Sequence, residues 1–114
     1  MYTEYRMTKA VSEQVYEAAA EVCTTLAAAP RVHIVVALCQ AERSVGDLAR
    51  LVGMSGPRLS QHLRVLFQGG LVTRRRDGHQ VFYRRVPERT ERLCAALQME
   101  LGAGAVELVW KETL

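Results

Sequence analysis

The sequence predicts a mainly α-helical domain with a small β-hairpin wing, arranged as a winged helix-turn-helix (α+β). Two amphipathic helical segments are separated only by a tight turn between Gly53 and Ser55. Gly69-Gly70 ends the second segment. Two β-branched and aromatic runs then follow, and Asp77-Gly78 between them favours a hairpin turn.

The first helix is predicted from Thr8 to about residue 28, because apolar residues recur there at spacings of three and four. These residues are Met7, Val11, Val15, Ala18, Val22 and Leu26, and the stripe is widened by Tyr16, Ala19 and Cys23. So wide a stripe on a terminal helix is more than one small core can cover. We therefore expect this helix to be buried against a second copy of the chain.

The second and third helices are expected to supply the core and the first helix of the helix-turn-helix pair. The second begins at Pro30 and is apolar nearly all round, which is typical of a central core helix. A short link at 41–43, with room for a one-pair strand, precedes the third helix. Ser44 lies three residues before Asp47 and is expected to cap that helix, which Gly53 closes.

The fourth helix is predicted to have one buried face and one polar face. Ser55 is a good N-cap residue, and Pro57 suits the first turn. Leu59, Leu63 and Leu66 recur at helical spacing and form the buried stripe. The opposite face carries only hydrogen-bonding side chains, namely Arg58, Ser60, Gln61, Arg64 and Gln68.

The helix-turn-helix pair is thus predicted at about 44–68 and the wing at about 71–85, with a last helix from Pro87. That helix repeats leucine every four residues until two glycines interrupt it. The residues of this pattern are Leu93, Leu97, Leu101, Gly102 and Gly104, and the tail resumes with Val106, Val109 and Trp110. We expect residues 1–114 to form one domain that dimerises through its first helix and through residues 88–101 of its last helix.

The distribution of charge favours a nucleic-acid partner. The chain carries a net charge of +3 and has a pI near 9.0. Residues 58–92 contain nine arginines against three acidic residues, a local balance of +6 that leaves −3 elsewhere. A helix whose outer face is basic and polar fits the major groove of double-stranded DNA, and an adjoining basic hairpin can reach the backbone or minor groove.

Several classes of protein are disfavoured. No apolar run approaches the roughly 18 residues that span a bilayer, and the N-terminal residues lack a signal-peptide segment. We therefore expect a cytoplasmic protein with no membrane partner, whose three widely spaced cysteines stay as thiols. No catalytic constellation or phosphate-binding loop appears, so no enzyme is predicted. The alternative is a winged-helix module for protein contacts, which would predict an apolar or acidic helix face.

Two strings, SVGDLARLVGMSGPRLSQHLRVL and GGLVTRRRDGHQVFYR, closely resemble the ArsR/SmtB family of bacterial repressors. The run Ser60-x-His62-Leu63-x-x-Leu66 and the Gly70-Leu71-Val72 start of the wing occur in register. The resemblance covers residues 26–85 well and the flanking helices by position only. It implies a homodimer, joined through its first and last helices, that binds a palindromic operator and is released by an inducer.

The resemblance also implies which residues contact DNA, with a recognition helix at 55–67 and a wing at 73–83. The contact residues on the helix are Ser55, Arg58, Ser60, Gln61, His62 and Arg64. Those of the wing are Arg74, Arg75, Arg76, His79 and Gln80. Ser60 and Gln61 would face base edges. His62 has two interpretations, a phosphate contact or a local hydrogen bond, and strand alternation turns Arg75 away from its two neighbours.

The sensor sites of the family do not carry over. One family metal site needs a Cys-x-Cys pair where this chain has Ser44 and Gly46, so a soft-metal thiolate site cannot form there. Another uses aspartate and histidine along the last helix, and residues 87–114 contain neither. The remaining carboxylates would hold Ni or Zn weakly, so the metal site is unknown and no cofactor is certain.

Cysteine chemistry is a second candidate for the signal. Cys39 matches the position used by the thiol-sensing, sulfide-responsive branch of the family. In that branch the partner cysteine lies well along the last helix, whereas Cys94 lies in its first turns. Three origins of the inducing signal therefore stay open: weakly held Ni or Zn, a thiol oxidant or reactive sulfur species, and a separate co-regulator protein.

Overall fold

A computed structural model describes residues 12–102, which form five helices and three strands. The helices are α1 (Glu13–Thr25), α2 (Ala29–Gln40), α3 (Val45–Val52), α4 (Gly56–Gln68) and α5 (Pro87–Leu101). The strands are β1 (Arg43–Ser44), β2 (Val72–Asp77) and β3 (Gln80–Arg85). This is the predicted winged helix-turn-helix. The predicted helix start at Thr8 and the tail residues Val106, Val109 and Trp110 lie outside the described residues.

The core is built around α2, whose residues 34–38 are all buried. Against it pack Leu59, Leu63 and Leu66, which are at most 2 % exposed, so the predicted inward stripe of α4 is confirmed. Burying one leucine side chain contributes about 1.5 to 3 kcal/mol. This stripe therefore fixes which face of α4 points outward.

The start of α3 and the turn between α3 and α4 have the predicted cap at Ser44 and the predicted glycine end at Gly53, but the predicted capping bond of Ser55 is absent. Ser44 accepts a hydrogen bond from the Asp47 backbone N–H at 3.0 Å and caps α3. Gly53 ends α3 with φ +68°, a left-handed conformation that glycine adopts without strain. Ser55 precedes α4 in extended conformation, and its side chain makes no capping hydrogen bond.

The three strands form one antiparallel sheet in the order β1-β3-β2. Asp77 pairs with Gln80, so the two-residue hairpin loop is Gly78-His79, one residue later than the sequence suggested. Gly78 has φ +62° at the first loop position, where a left-handed residue matches the twist of the strands. This register places Arg74 opposite Tyr83 and Arg75 opposite Phe82.

The first and last helices leave apolar surface uncovered. No residue of α1 is buried, and Val15 and Tyr16 are 56 % and 45 % exposed. On α5, Met99 is 83 % exposed. Within residues 12–102 no single helix is long and apolar enough to cross a membrane, and α1 and α2 meet that criterion only as a pair bent by 99°.

Candidate nucleic-acid interface

The outward face of α4 forms one wall of an open groove. Because the leucine stripe faces the core, the predicted contact residues of this helix lie outside. Exposed side chains are those of Ser55, Arg58, Ser60, Gln61 and Arg64. Ser60, Gln61 and Arg64 line a groove of about 720 Å³ between α4 and the wing.

The wing supplies the other wall through residues 74–76 of β2, of which Arg75 turns its guanidinium toward Glu42. Arg74 and Arg76 stand opposite Tyr83 and Val81, which belong to the core side of the sheet, and both arginines line the groove. The guanidinium carbon of Arg74 lies 4.3 Å from the centre of the Phe67 ring. This cation–π contact rests Arg74 against the end of α4. The groove therefore carries guanidinium groups on both walls, which suits an anionic backbone.

Arg75 projects from the other face of the sheet, as strand alternation predicted. Its Nε and Nη2 donate to the two carboxylate oxygens of Glu42 at 3.1 and 2.7 Å. Its guanidinium carbon also lies 4.6 Å from the centre of the Phe82 ring, and Nη1 lies 3.9 Å from Asp77 Oδ2. The hydrogen bonds raise the pKa of Arg75 and lower the pKa of Glu42. Sequence reasoning treated Glu42 only as part of a link.

His62 is half-buried on the flank of α4. Arg31 Nη1 lies 3.3 Å from His62 Nδ1, and because a guanidinium only donates, Nδ1 must accept. Arg31 Nε donates to the Thr25 carbonyl oxygen at 2.6 Å, so the pair ties α4 to the junction of α1 and α2. Burial, with the positive charges of Arg31 and Arg58, lowers the pKa of His62. These contacts match the local hydrogen bond that the sequence left as one interpretation.

His79 and Gln80 are exposed at the tip of the wing. They line a separate open cleft beside the start of α3, where Asp47 forms an ion pair with Arg50. His33 lies on α2, and burial lowers its pKa. In the described part of the chain, no three or more His, Cys, Asp or Glu side chains come close enough to hold a metal ion.

Cys39 and Cys94 are joined by a disulfide, and their Cα atoms are 5.9 Å apart. The expectation that all three cysteines stay as thiols is therefore wrong for this pair. The bond connects the last turn of α2 to α5, and Cys94 is buried. Cys23 is a free, exposed cysteine on α1. The sequence could not assert this pairing, because the two positions are 55 residues apart and only the packing of α5 on α2 brings them together.

Comparison with known proteins adds a family match. The sequence profile of the group described as "Bacterial regulatory protein, arsR family" matches residues 30–74. A biofilm growth-associated repressor from Xylella fastidiosa is 36 % identical over 95 residues, which are 83 % of this chain and 83 % of that protein.

Two solved structures are also similar. Reduced HlyU from Vibrio cholerae superimposes with a TM-score of 0.73 at 30 % identity, covering 76 % of this chain and 92 % of that one. The homodimeric winged helix-turn-helix DNA-binding domain of a possible ArsR-family regulator from Mycobacterium bovis gives a TM-score of 0.68 at 35 % identity, covering 78 % and 85 %. Both likenesses extend beyond residues 30–74 to most of the fold.

Proposed function

Because this chain belongs to the ArsR family of bacterial regulatory proteins, which are DNA-binding transcriptional regulators rather than enzymes, we propose that it is a cytoplasmic homodimeric repressor of a palindromic operator. Each protomer inserts α4 into the major groove and lays its wing along the adjoining backbone or minor groove. One observation carries this proposal. The exposed polar face of α4 and three arginines of β2 line the same groove.

The roles of the contact residues follow from their positions. Ser60 and Gln61 lie in the groove and read base edges, while Ser55, Arg58 and Arg64 divide between bases and phosphates. Arg74 and Arg76 neutralise phosphates or enter the minor groove, with His79 and Gln80 at the tip of the wing. We assign His62 to support of α4 rather than to DNA, because its Nδ1 is already used by Arg31.

The homodimer is supported by the uncovered apolar surface of the terminal helices. Val15 and Tyr16 on α1 and Met99 on α5 remain exposed in the single chain. Burial of these side chains against a second copy removes apolar area from water and fixes the spacing of the two recognition helices. The Mycobacterium bovis relative, whose title calls it homodimeric, is consistent with this arrangement.

For the signal, the geometry favours thiol chemistry over a bound metal ion. Cys39 and Cys94 lie at disulfide distance in one protomer. Two thiols would lose two protons and two electrons to a two-electron oxidant, such as a hydroperoxide or a persulfide, and form the bond between α2 and α5. Because α5 is a proposed dimer helix, oxidation would change how the two protomers are held and weaken operator binding. Weakly held Ni or Zn and a co-regulator protein remain the alternatives.

A binding titration on DNA from upstream of the protein's own gene tests both operator binding and the thiol signal. Fluorescence anisotropy would compare this DNA with random DNA of equal length, using reduced protein, oxidised protein, and reduced protein with Zn or Ni. We expect reduced protein to prefer the upstream DNA and oxidised protein to lose that preference. An equal affinity for the two DNAs in every state would contradict operator binding. Release by one equivalent of metal at nanomolar concentration would contradict the thiol mechanism.

A further inference from the structure

The contact between Glu42 and Arg75 joins two parts of the fold that have different roles. Glu42 lies in the short link between α2 and β1, and β1 ends at Ser44, the capping residue of α3. Arg75 lies on β2, the outer strand of the wing. In the sheet order β1-β3-β2, its side chain must cross β3 to reach Glu42. The contact therefore connects the outer strand of the wing to the segment that begins the helix-turn-helix pair.

The outer half of the wing has no buried residue, and besides this pair it is held by the contact of Arg74 with the Phe67 ring. Val72 and Tyr83 anchor its base in the core, whereas residues 74–80 are all exposed. A two-stranded hairpin without a covered face is marginally stable in water. The side chain of Arg75 crosses β3, where its guanidinium rests on the Phe82 ring, and donates two parallel hydrogen bonds to Glu42. A bidentate contact of this kind fixes the orientation of the two side chains as well as the distance between them, whereas a lysine ammonium would fix only the distance.

We propose that Glu42 and Arg75 are positioning residues that set the orientation of the wing for DNA binding, and that Arg75 does not itself contact DNA. The proposal rests on the proposed function, since it concerns the same DNA-binding surface. It distinguishes Arg75 from Arg74 and Arg76. All three residues line the groove, but the guanidinium of Arg75 is already bonded to Glu42. Glu42 then strengthens DNA binding although its charge is negative.

The two possible roles of Arg75 predict opposite effects of the variant Glu42→Gln on DNA affinity. If Arg75 were a phosphate contact masked by Glu42, the variant Glu42→Gln would free it. DNA affinity would rise, and the salt slope would steepen by about 0.9 per protomer. If the pair orients the wing, Glu42→Gln lowers affinity and leaves the slope unchanged. Exposed ion pairs support a loss of about two- to fivefold per protomer, which is roughly 4- to 25-fold for a dimer.

The experiment measures operator affinity by fluorescence anisotropy at several KCl concentrations, for the full chain in its reduced form. Glu42→Gln and Arg75→Gln should each weaken binding at unchanged slope, and the double variant should be no weaker than either single variant. Asp77→Asn is the matched control, because it removes the longer, 3.9 Å ion pair of Arg75 and leaves both hydrogen bonds to Glu42 in place. Asparagine also suits this turn position. It should not weaken binding. Arg76→Gln should lower the slope by about 0.9 per protomer.

Hydrogen exchange of the wing amides in the free protein provides a second measurement that does not depend on DNA. Glu42→Gln should speed exchange in β2 and β3 while the core amides of α2 keep their protection. A rise in affinity for Glu42→Gln, a slope change for Arg75→Gln, or unchanged wing exchange would each overturn the proposal. If the wild-type protein did not prefer its operator, the proposed function would fail, and the exchange result would still decide whether the pair holds the wing.

Discussion

The salt dependence of operator binding should change in proportion to the arginines of the wing that face the groove. Arg74, Arg75 and Arg76 all line the groove, but the guanidinium of Arg75 is bonded to Glu42. Each phosphate contact contributes about 0.9 to the slope of log K against log salt concentration. The variant Arg74→Ala/Arg76→Ala should therefore lower the magnitude of the slope by about 1.8 per protomer, or roughly 3.6 for the dimer.

This difference is large enough to measure directly. Between 50 and 200 mM salt, a slope change of roughly 3.6 reduces the ratio of wild-type to variant affinity by about 150-fold. The assay is an anisotropy titration at four salt concentrations, on operator and on random DNA. Both DNAs should be affected alike, because phosphate contacts carry no sequence information. Arg92→Ala, which removes an exposed arginine of α5, is the control and should keep the slope. A wild-type slope in the double variant would refute the assignment.

Three further predictions concern base readout, the thiols and pH. Gln61→Ala should cost about 1 to 3 kcal/mol on the operator and less on random DNA, whereas Gln68→Ala should not discriminate between them; an equal loss on both DNAs would remove Gln61 from base readout. Cys94→Ser should abolish the response of operator affinity to oxidation, while Cys23→Ser should keep it. Because the pKa of His62 is lowered in the folded protein, the unfolded state binds more protons as pH falls below about 6.5. Urea denaturation should therefore show a free energy of unfolding that falls from pH 7.5 to 5.5, and less steeply in His62→Gln. An unchanged pH dependence in that variant would count against a lowered pKa of His62 in the folded protein.

The sequence predicted the features that depend on local spacing. The leucine stripe of α4, the cap at Ser44 and the closing Gly53 are each set by residues within one or two helical turns, and the structure confirms them. The hairpin was predicted from its strands, and its loop lies one residue later than expected, at Gly78-His79. Turn residues indicate that a hairpin exists, but the cross-strand register fixes its exact loop.

The contacts that the sequence did not reveal join distant positions. Arg31 and His62 are 31 residues apart, Glu42 and Arg75 are 33 apart, and Cys39 and Cys94 are 55 apart. Each depends on how helices pack or strands pair, and neither property can be read from one chain by periodicity. Strand alternation did predict that Arg75 points away from Arg74 and Arg76. It could not identify Glu42 as the partner, because that required the position of β1 beside β3.

Two of these contacts, Cys39–Cys94 and Glu42–Arg75, each have one residue at or just beyond the C-terminal end of α2. Cys39 lies in the last turn of that helix, and Glu42 follows it by three residues. The disulfide therefore lies three residues from the side chain that holds Arg75. A signal can shift DNA binding only by the difference in free energy that it makes between two arrangements of the protein. If part of that difference passes through the wing, Glu42→Gln should show a smaller ratio of reduced to oxidised operator affinity than the wild-type protein. An unchanged ratio would mean that oxidation acts only through α5 and the dimer.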